Sequence, residues 1–228
     1  MEFFNFDVGK NRIYNVDWLK TIAILAVLLL HCSSKYLLPD FVFQPNWYCG
    51  VFFESLSRFG VPLFIMVSGF LILRKDQPIS SVPRRIKRVL IPFIFWLVVY
   101  VIAKFAMIYH SFDLIQFGYF LIQAFLDPTI VSIEFWFVYM IVGLYIFSPI
   151  ITTWLHNAEI YEIEYFLIVW ALISFVGFSN VDFLLYDYLK YFTGSIGYFI
   201  LGYYLYIKQK SVLKNKNFGL VLFVAGTL

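Results

Sequence analysis

The stretch Trp18-Leu19-Lys20-Thr21-Ile22-Ala23-Ile24-Leu25-Ala26-Val27-Leu28-Leu29-Leu30-His31-Cys32-Ser33 decides how the chain is read. Between Lys20 and His31 only Thr21 is polar. On a helix these two ionisable residues fall about three turns apart, on one face and ~16 Å apart along the axis. An ionisable group inside a membrane helix is costly, so it usually faces a protein interior or a water-filled path. Two on one stripe point to such a path, with a titratable imidazole in it.

The rest of the composition agrees with a membrane solvent. Of 228 residues, 62% are hydrophobic and 14% charged, against about 45–50% and ~25% in soluble domains. The excess runs the length of the chain, so the expected class is all-α, a polytopic transmembrane bundle in a single membrane-embedded domain, 1–228. Aromatic residues make up 22% of the chain, which suits interfacial belts and helix packing. No signal-peptide cleavage pattern follows the first apolar run. Two cysteines, Cys32 and Cys49, form no metal motif; both fall at the outer ends of their expected spans and are able to bridge. Nothing points to nucleic acid.

Crossing a ~30 Å hydrocarbon core takes about 20 apolar residues. Six full spans are expected at 17–37, 50–73, 89–109, 132–154, 163–182 and 188–207, and a truncated seventh begins near Phe218 and reaches Leu228. That last segment implies either a chain stopping in mid-helix or a piece of a longer protein. Basic residues flank the cytoplasmic ends of spans. Lys10 and Arg12, the run from Arg74 to Arg88, and the four lysines of 208–216 therefore read as cytoplasmic, as does the N-terminus. The connections 38–49, 127–131 and 183–187 lack lysine and arginine and read as external. The amphipathic stretch 112–126 is too short to cross and is expected to be interfacial or re-entrant. The connection 155–162, with His156, Glu159 and Glu162, then becomes cytoplasmic without basic residues to hold it there.

Several polar groups admit two readings. His31 is either an interfacial histidine hydrogen-bonded to a neighbouring helix or a general base. Lys20 either snorkels to the headgroups, with Asp17 at i−3 as a partner, or guides an anionic cofactor into the bundle. Glu54 and Arg58 are an i,i+4 ion pair or the orienting groups of a polar acceptor. Arg84-Arg85-Ile86-Lys87-Arg88 anchors topology or holds phosphates, for which guanidinium donors are suited. Glu134 and Trp136 sit at the expected outer face. Lys104, near mid-depth of the third expected span, has no assignable role, and His110 reads as interfacial. Nucleotide-binding fingerprints are missing: neither a Walker A loop nor Gly-x-Gly-x-x-Gly occurs.

Five segments, in order, resemble the bacterial integral-membrane acyltransferase 3 family. Asn15-Val16-Asp17-Trp18-Leu19-Lys20 through His31 looks like that family's first helix, a basic residue, ten residues and a histidine, with Lys20 where arginine is usual. Ser57-Arg58-Phe59-Gly60-Val61-Pro62-Leu63-Phe64 to Leu71 is similar to its second helix, and Arg84-Arg85-Ile86-Lys87-Arg88-Val89-Leu90-Ile91-Pro92 to its basic entry into the third. Glu134-Phe135-Trp136-Phe137 stands where His-Leu-Trp-Phe is common, and Gly197-Tyr198-Phe199-Ile200-Leu201-Gly202-Tyr203-Tyr204-Leu205 looks like a later helix.

The resemblance implies an O-acyltransferase, most often an O-acetyltransferase, in the bacterial inner membrane. It would move an acyl group from a cytosolic coenzyme A thioester, acetyl-CoA as donor substrate, to a hydroxyl of a surface or exported glycan. No permanently bound cofactor or metal is implied. His31 would be catalytic, with Lys20 beside it. Arg84, Arg85, Lys87 and Arg88 would receive the donor's phosphates, and Glu54, Arg58, Glu134 and Trp136 are acceptor or cavity candidates. A polysaccharide or lipid-linked sugar transporter, or an inactive truncated remnant, are the alternative readings.

Overall fold

The computed structural model describes residues 14–38, 42–109, 113–178 and 194–208. Among them the regular elements are all helical: α1 (Tyr14–Ser34), α2 (Pro45–Ser57), α3 (Gly60–Leu73), α4 (Val82–Ile108), α5 (Leu114–Leu126), α6 (Trp136–Asn157), α7 (Ile160–Phe178) and α8 (Ile196–Ile207). They divide into two compact units, Met1–Lys75 with Ala158–Leu228, and Asp76–Asn157.

Among the described residues four stretches, Asn15–Leu37, Pro45–Leu73, Ile79–Ile108 and Ile133–Asn157, are long and apolar enough to cross a bilayer. Their side chains are distributed for lipid. On α1 the buried positions are Val16, Ala23, Ala26 and Ser33, while Trp18 is 67% exposed and Ile24, Leu25 and Leu28 also face outward. On α4, Ile91, Phe95, Trp96 and Ile102 are exposed. Small residues at the helix contacts and large apolar ones outside are the pattern expected when hydrocarbon is the solvent. The fifth and sixth expected spans correspond to α7 and α8, with 179–187 and 188–193 outside the described residues. His110, most of 208–216 and the apolar segment from Phe218 also lie outside them.

In the first unit α3 is the central helix. It is apolar nearly all round and buries Ile65, Val67, Ser68, Gly69, Phe70 and Leu73, as a helix enclosed by others must. Its partner is α8. A methyl group on Gly69 would run into the Phe199 carbonyl, and one on Gly202 into the Met66 carbonyl, so the two backbones touch directly. Val16, Val67 and Phe70 form a core at one end, with Leu19 and Tyr206 packed against them. That end joins the start of α1, the end of α3 and the end of α8.

The expected span 50–73 begins earlier, at Pro45, and is two helices interrupted at Arg58 and Phe59. Pro45 takes the first turn, where a missing N–H is harmless. Pro62 lacks the N–H that would bind residue 58, and its ring excludes a continuous helix there. Ser57 spends its hydroxyl on the Phe53 and Glu54 carbonyls, at 2.6 and 3.1 Å.

In the second unit α4 starts at Val82 rather than 89, so the basic run is helical rather than a loop. Pro83 opens the helix, and arginine and lysine are good helix formers. Phe93, Leu97 and Val101 follow one another at i+4 and pack with Ala124 of α5 and Val131. α5 has 13 residues, about 20 Å of helix, and matches the expected short 112–126 segment. The connection 155–162 shrinks to Ala158 and Glu159, because α6 runs to Asn157 and α7 begins at Ile160. His156 Nδ1 lies 3.0 Å from Asp76 Oδ1. This contact puts the end of α6 level with the segment leading into α4, at the basic end of the unit.

Two outcomes follow from these contacts. Gly69→Ala and Gly202→Ala will each destabilise the purified protein by about 1–3 kcal/mol through overpacking, whereas Gly143→Ala, which meets nothing within 4 Å, will leave its thermal midpoint unchanged or slightly raised. In a background lacking Cys32 and Cys49, Asp76→Cys and Asn157→Cys will be modified by an impermeant thiol reagent from one side of the membrane, and Asp113→Cys from the other.

Candidate functional site

His31 occupies the last turn of α1, followed by a 3-10 turn over Lys35–Leu37, so it stands ~10 Å from the helical end. It and Lys20 share a flank of α1, about 100° round the helix from the buried positions Val16, Ala23, Ala26 and Ser33. Both are half-buried. The stripe expected from spacing is therefore present, at the border between the packed and the exposed faces.

On α2, Arg58 Nη2 donates to both Glu54 carboxylate oxygens at 2.9 Å. The Arg58 side chain is 62% exposed and Glu54 16%. An exposed i,i+4 pair contributes only about 0.3–0.5 kcal/mol, so its main effect is to hold the half-buried carboxylate in one orientation beside the helix break.

The basic run fills the first two turns of α4, with Arg84, Lys87 and Arg88 exposed and Arg85 half-buried. A helix N-terminus carries partial positive charge and free N–H groups. Four cations there oppose the usual preference and build a strongly positive end, suited to an anion. Arg85 Nη2 donates to the side-chain oxygen of Gln77, while its Nη1 is buried without a hydrogen-bond partner among the described residues. In the first unit Arg74, which stacks over the Phe70 ring at 5.0 Å, likewise has Nε and Nη1 buried and unpartnered among the described residues. A buried donor left unmatched costs about 1–3 kcal/mol. Arg74 read only as a topology anchor in the sequence, because nothing in its spacing signals burial.

Glu134 is half-buried just before α6 and accepts a hydrogen bond from the Ser132 hydroxyl. Trp136 begins α6 and is 43% exposed. An apolar groove of about 410 Å³ in this unit is lined by Val89, Pro92, Phe93, Trp96, Tyr100, Phe135 and Val138, and so takes in the residue between them but neither Glu134 nor Trp136. In the first unit a cavity of about 290 Å³ is lined by Leu29, Cys32 and Ser33 of α1 and Tyr36 of the following 3-10 turn, without His31.

Two lysines have structural partners. Lys104 lies in the last turns of α4, not at mid-depth, and its Nζ donates to the Ile130 carbonyl at 2.6 Å. It holds the 3-10 turn that leads to α6. Lys208, at the end of α8, reaches Glu164 of α7 at 2.8 Å, and Tyr204 donates to the same carboxylate at 2.8 Å. The hydrogen bond to Glu164 raises the Lys208 ammonium above its ordinary pKa, so the pair stays charged through neutral pH.

The pattern of the Acyl_transf_3 family, described as an acyltransferase domain, matches residues 13–228. The chain belongs to this family. It is also similar to the nodulation protein NolL of Sinorhizobium fredii (strain NBRC 101917 / NGR234), 30% identical over 106 residues, 45% of this chain and 28% of that protein. The chain thus spans under a third of the length of the curated relative it matches. No solved structure matches it.

Replacing Lys104 with methionine will leave the Ile130 carbonyl without its donor. The expected result is a loss of about 1–3 kcal/mol and faster amide exchange and proteolysis confined to residues 127–135.

Proposed function

We propose that the protein is a membrane O-acyltransferase that moves an acetyl group from cytosolic acetyl-CoA to a hydroxyl of a surface or exported glycan. Membership of the acyltransferase family over residues 13–228 carries this reading. In the reaction the glycan hydroxyl attacks the thioester carbonyl carbon while His31 removes its proton. The carbon–sulfur bond then breaks, and the coenzyme A thiolate leaves and takes up that proton from the imidazolium. Lys20, on the same stripe, supplies positive charge along the path of an anionic donor. Acetyl-CoA is a substrate here, and the scheme calls on no resident metal.

The donor's phosphates are assigned to Arg84, Arg85, Lys87 and Arg88. The support is electrostatic: these cations gather at a helix N-terminus, and Arg85 holds back a buried N–H group that a phosphate oxygen would match. Glu54, held by Arg58, is the acceptor-side carboxylate of the proposal, and Glu134 and Trp136 are the corresponding candidates in the second unit. The family supports a bacterial inner membrane as the location, and the placement of basic residues supports an N-terminus in the cytoplasm.

The test uses full-length protein in membranes supplied with labelled acetyl-CoA, scored by acetylated glycan. His31→Ala will lower transfer by about 10²–10⁴-fold at unchanged protein level and thermal stability; wild-type transfer by this variant removes His31 from the mechanism. Arg85→Gln with Arg88→Gln will raise KM for acetyl-CoA about tenfold, the effect of ~1.4 kcal/mol, with kcat much less affected.

A further inference from the structure

The sequence contains two cysteines, and α1 and α2 bring both to one cavity. Cys32 lies with Leu29 and Ser33 at the i, i+3, i+4 positions that form one face of α1, and Tyr36 of the following 3-10 turn joins them. Cys49 lies with Asn46, Gly50 and Phe53 at the i, i+3, i+4, i+7 positions of one face of α2. These eight residues line the cavity of about 290 Å³. The Lys20–His31 stripe is roughly 150–170° round α1 from this face, so the cavity is separate from the proposed catalytic flank.

The two segments are in close contact here. A Cβ added to Gly50 would sit 2.8 Å from Tyr36 Cβ and 3.4 Å from the Ser33 carbonyl oxygen. Glycine at this point lets the backbones approach more closely than any larger residue would allow. Cys49 immediately precedes Gly50; Cys32 precedes Ser33 and lies one turn before Tyr36. Both cysteines thus line the same cavity from facing helices, within a turn of this contact, and a disulfide there needs a Cα separation of about 4.4–6.8 Å. Both thiols are free and exposed.

Their position along the bundle supplies the chemistry. The Val16, Val67 and Phe70 core marks the opposite end of the unit, next to Arg74 and Lys75 at the end of α3 and Lys208 at the end of α8. Basic residues mark the cytoplasmic side, so the cysteine cavity is on the outer side, where disulfides form and persist.

We propose that Cys32 and Cys49 close into an intramolecular disulfide that staples α1 to α2 at the outer end of the first unit. A disulfide-bearing thiol oxidant is the co-reactant. One cysteine thiolate attacks it, forming a mixed disulfide and expelling one thiol. The second thiolate then attacks the cysteine sulfur and expels the other. Two cysteine thiols lose their protons and are oxidised, and one oxidant disulfide is reduced to two thiols. The bond closes the loop 33–48 and holds the last turn of α1 against α2.

The experiment treats the purified full chain with oxidised glutathione or with dithiothreitol, blocks free thiols with N-ethylmaleimide and reads the intact mass and the linked peptides. After oxidation the expected product carries no maleimide, has lost two hydrogens and yields a peptide pair joining Cys32 to Cys49. After reduction both thiols are blocked. The thermal midpoint of the wild type will be higher oxidised than reduced, and Cys32→Ser and Cys49→Ser will each abolish that difference. Two maleimides after oxidation, stable glutathione adducts on the separate cysteines, or a disulfide-linked dimer on a non-reducing gel would each overturn the proposal.

Discussion

The direct backbone contact between α3 and α8 is the constraint on which the first unit depends. In a bilayer the lipid tails are as apolar as any leucine, so helices gain little by hiding apolar surface from them. What holds helices together is close packing, and closeness is limited by side chains. Gly69 against Phe199 and Gly202 against Met66 remove that limit. With α3 fixed in this way, α1 packs on it through Val16, Ala23 and Ala26, and the large apolar residues of α1 are left to the lipid.

The second unit rests on a different device. Its helices meet through an aromatic and aliphatic seam, Phe93, Leu97, Val101, Ala124 and Val131, pinned at one end by Lys104 on the Ile130 carbonyl and at the other by Asp76 and His156. At that second end α4 opens with four cations in its first turns. Such a start is unfavourable for the helix taken alone. Local rules are broken most often where function requires it, and this end is the one proposed to take the donor's phosphates.

Much of this was legible in advance. The apolar length of 17–37 and the i, i+11 relation of Lys20 and His31 are properties of one helix, so α1 carries them as expected. The Glu54–Arg58 pair was readable for the same reason. Resemblance across five short segments anticipated the acyltransferase family. Less legible were the helix limits. The charged start of α4 read as a loop because periodicity alone does not distinguish a basic first turn from a linker. Lys104 read as an unexplained charge at mid-depth because its partner is a carbonyl 26 residues away.

By itself the sequence determined the solvent this protein is built for, the helical class and the faces on which each helix carries its polar residues, since hydrophobicity and helical period act over a few turns of one segment. Only the tertiary structure decided which faces meet: that the second span breaks at Arg58 and Phe59, that Arg74 and Arg85 bury guanidinium groups left partly unmatched, and that Cys32 and Cys49 look into one cavity. Those facts depend on how closely two backbones approach, and that distance is set jointly by residues far apart in the chain.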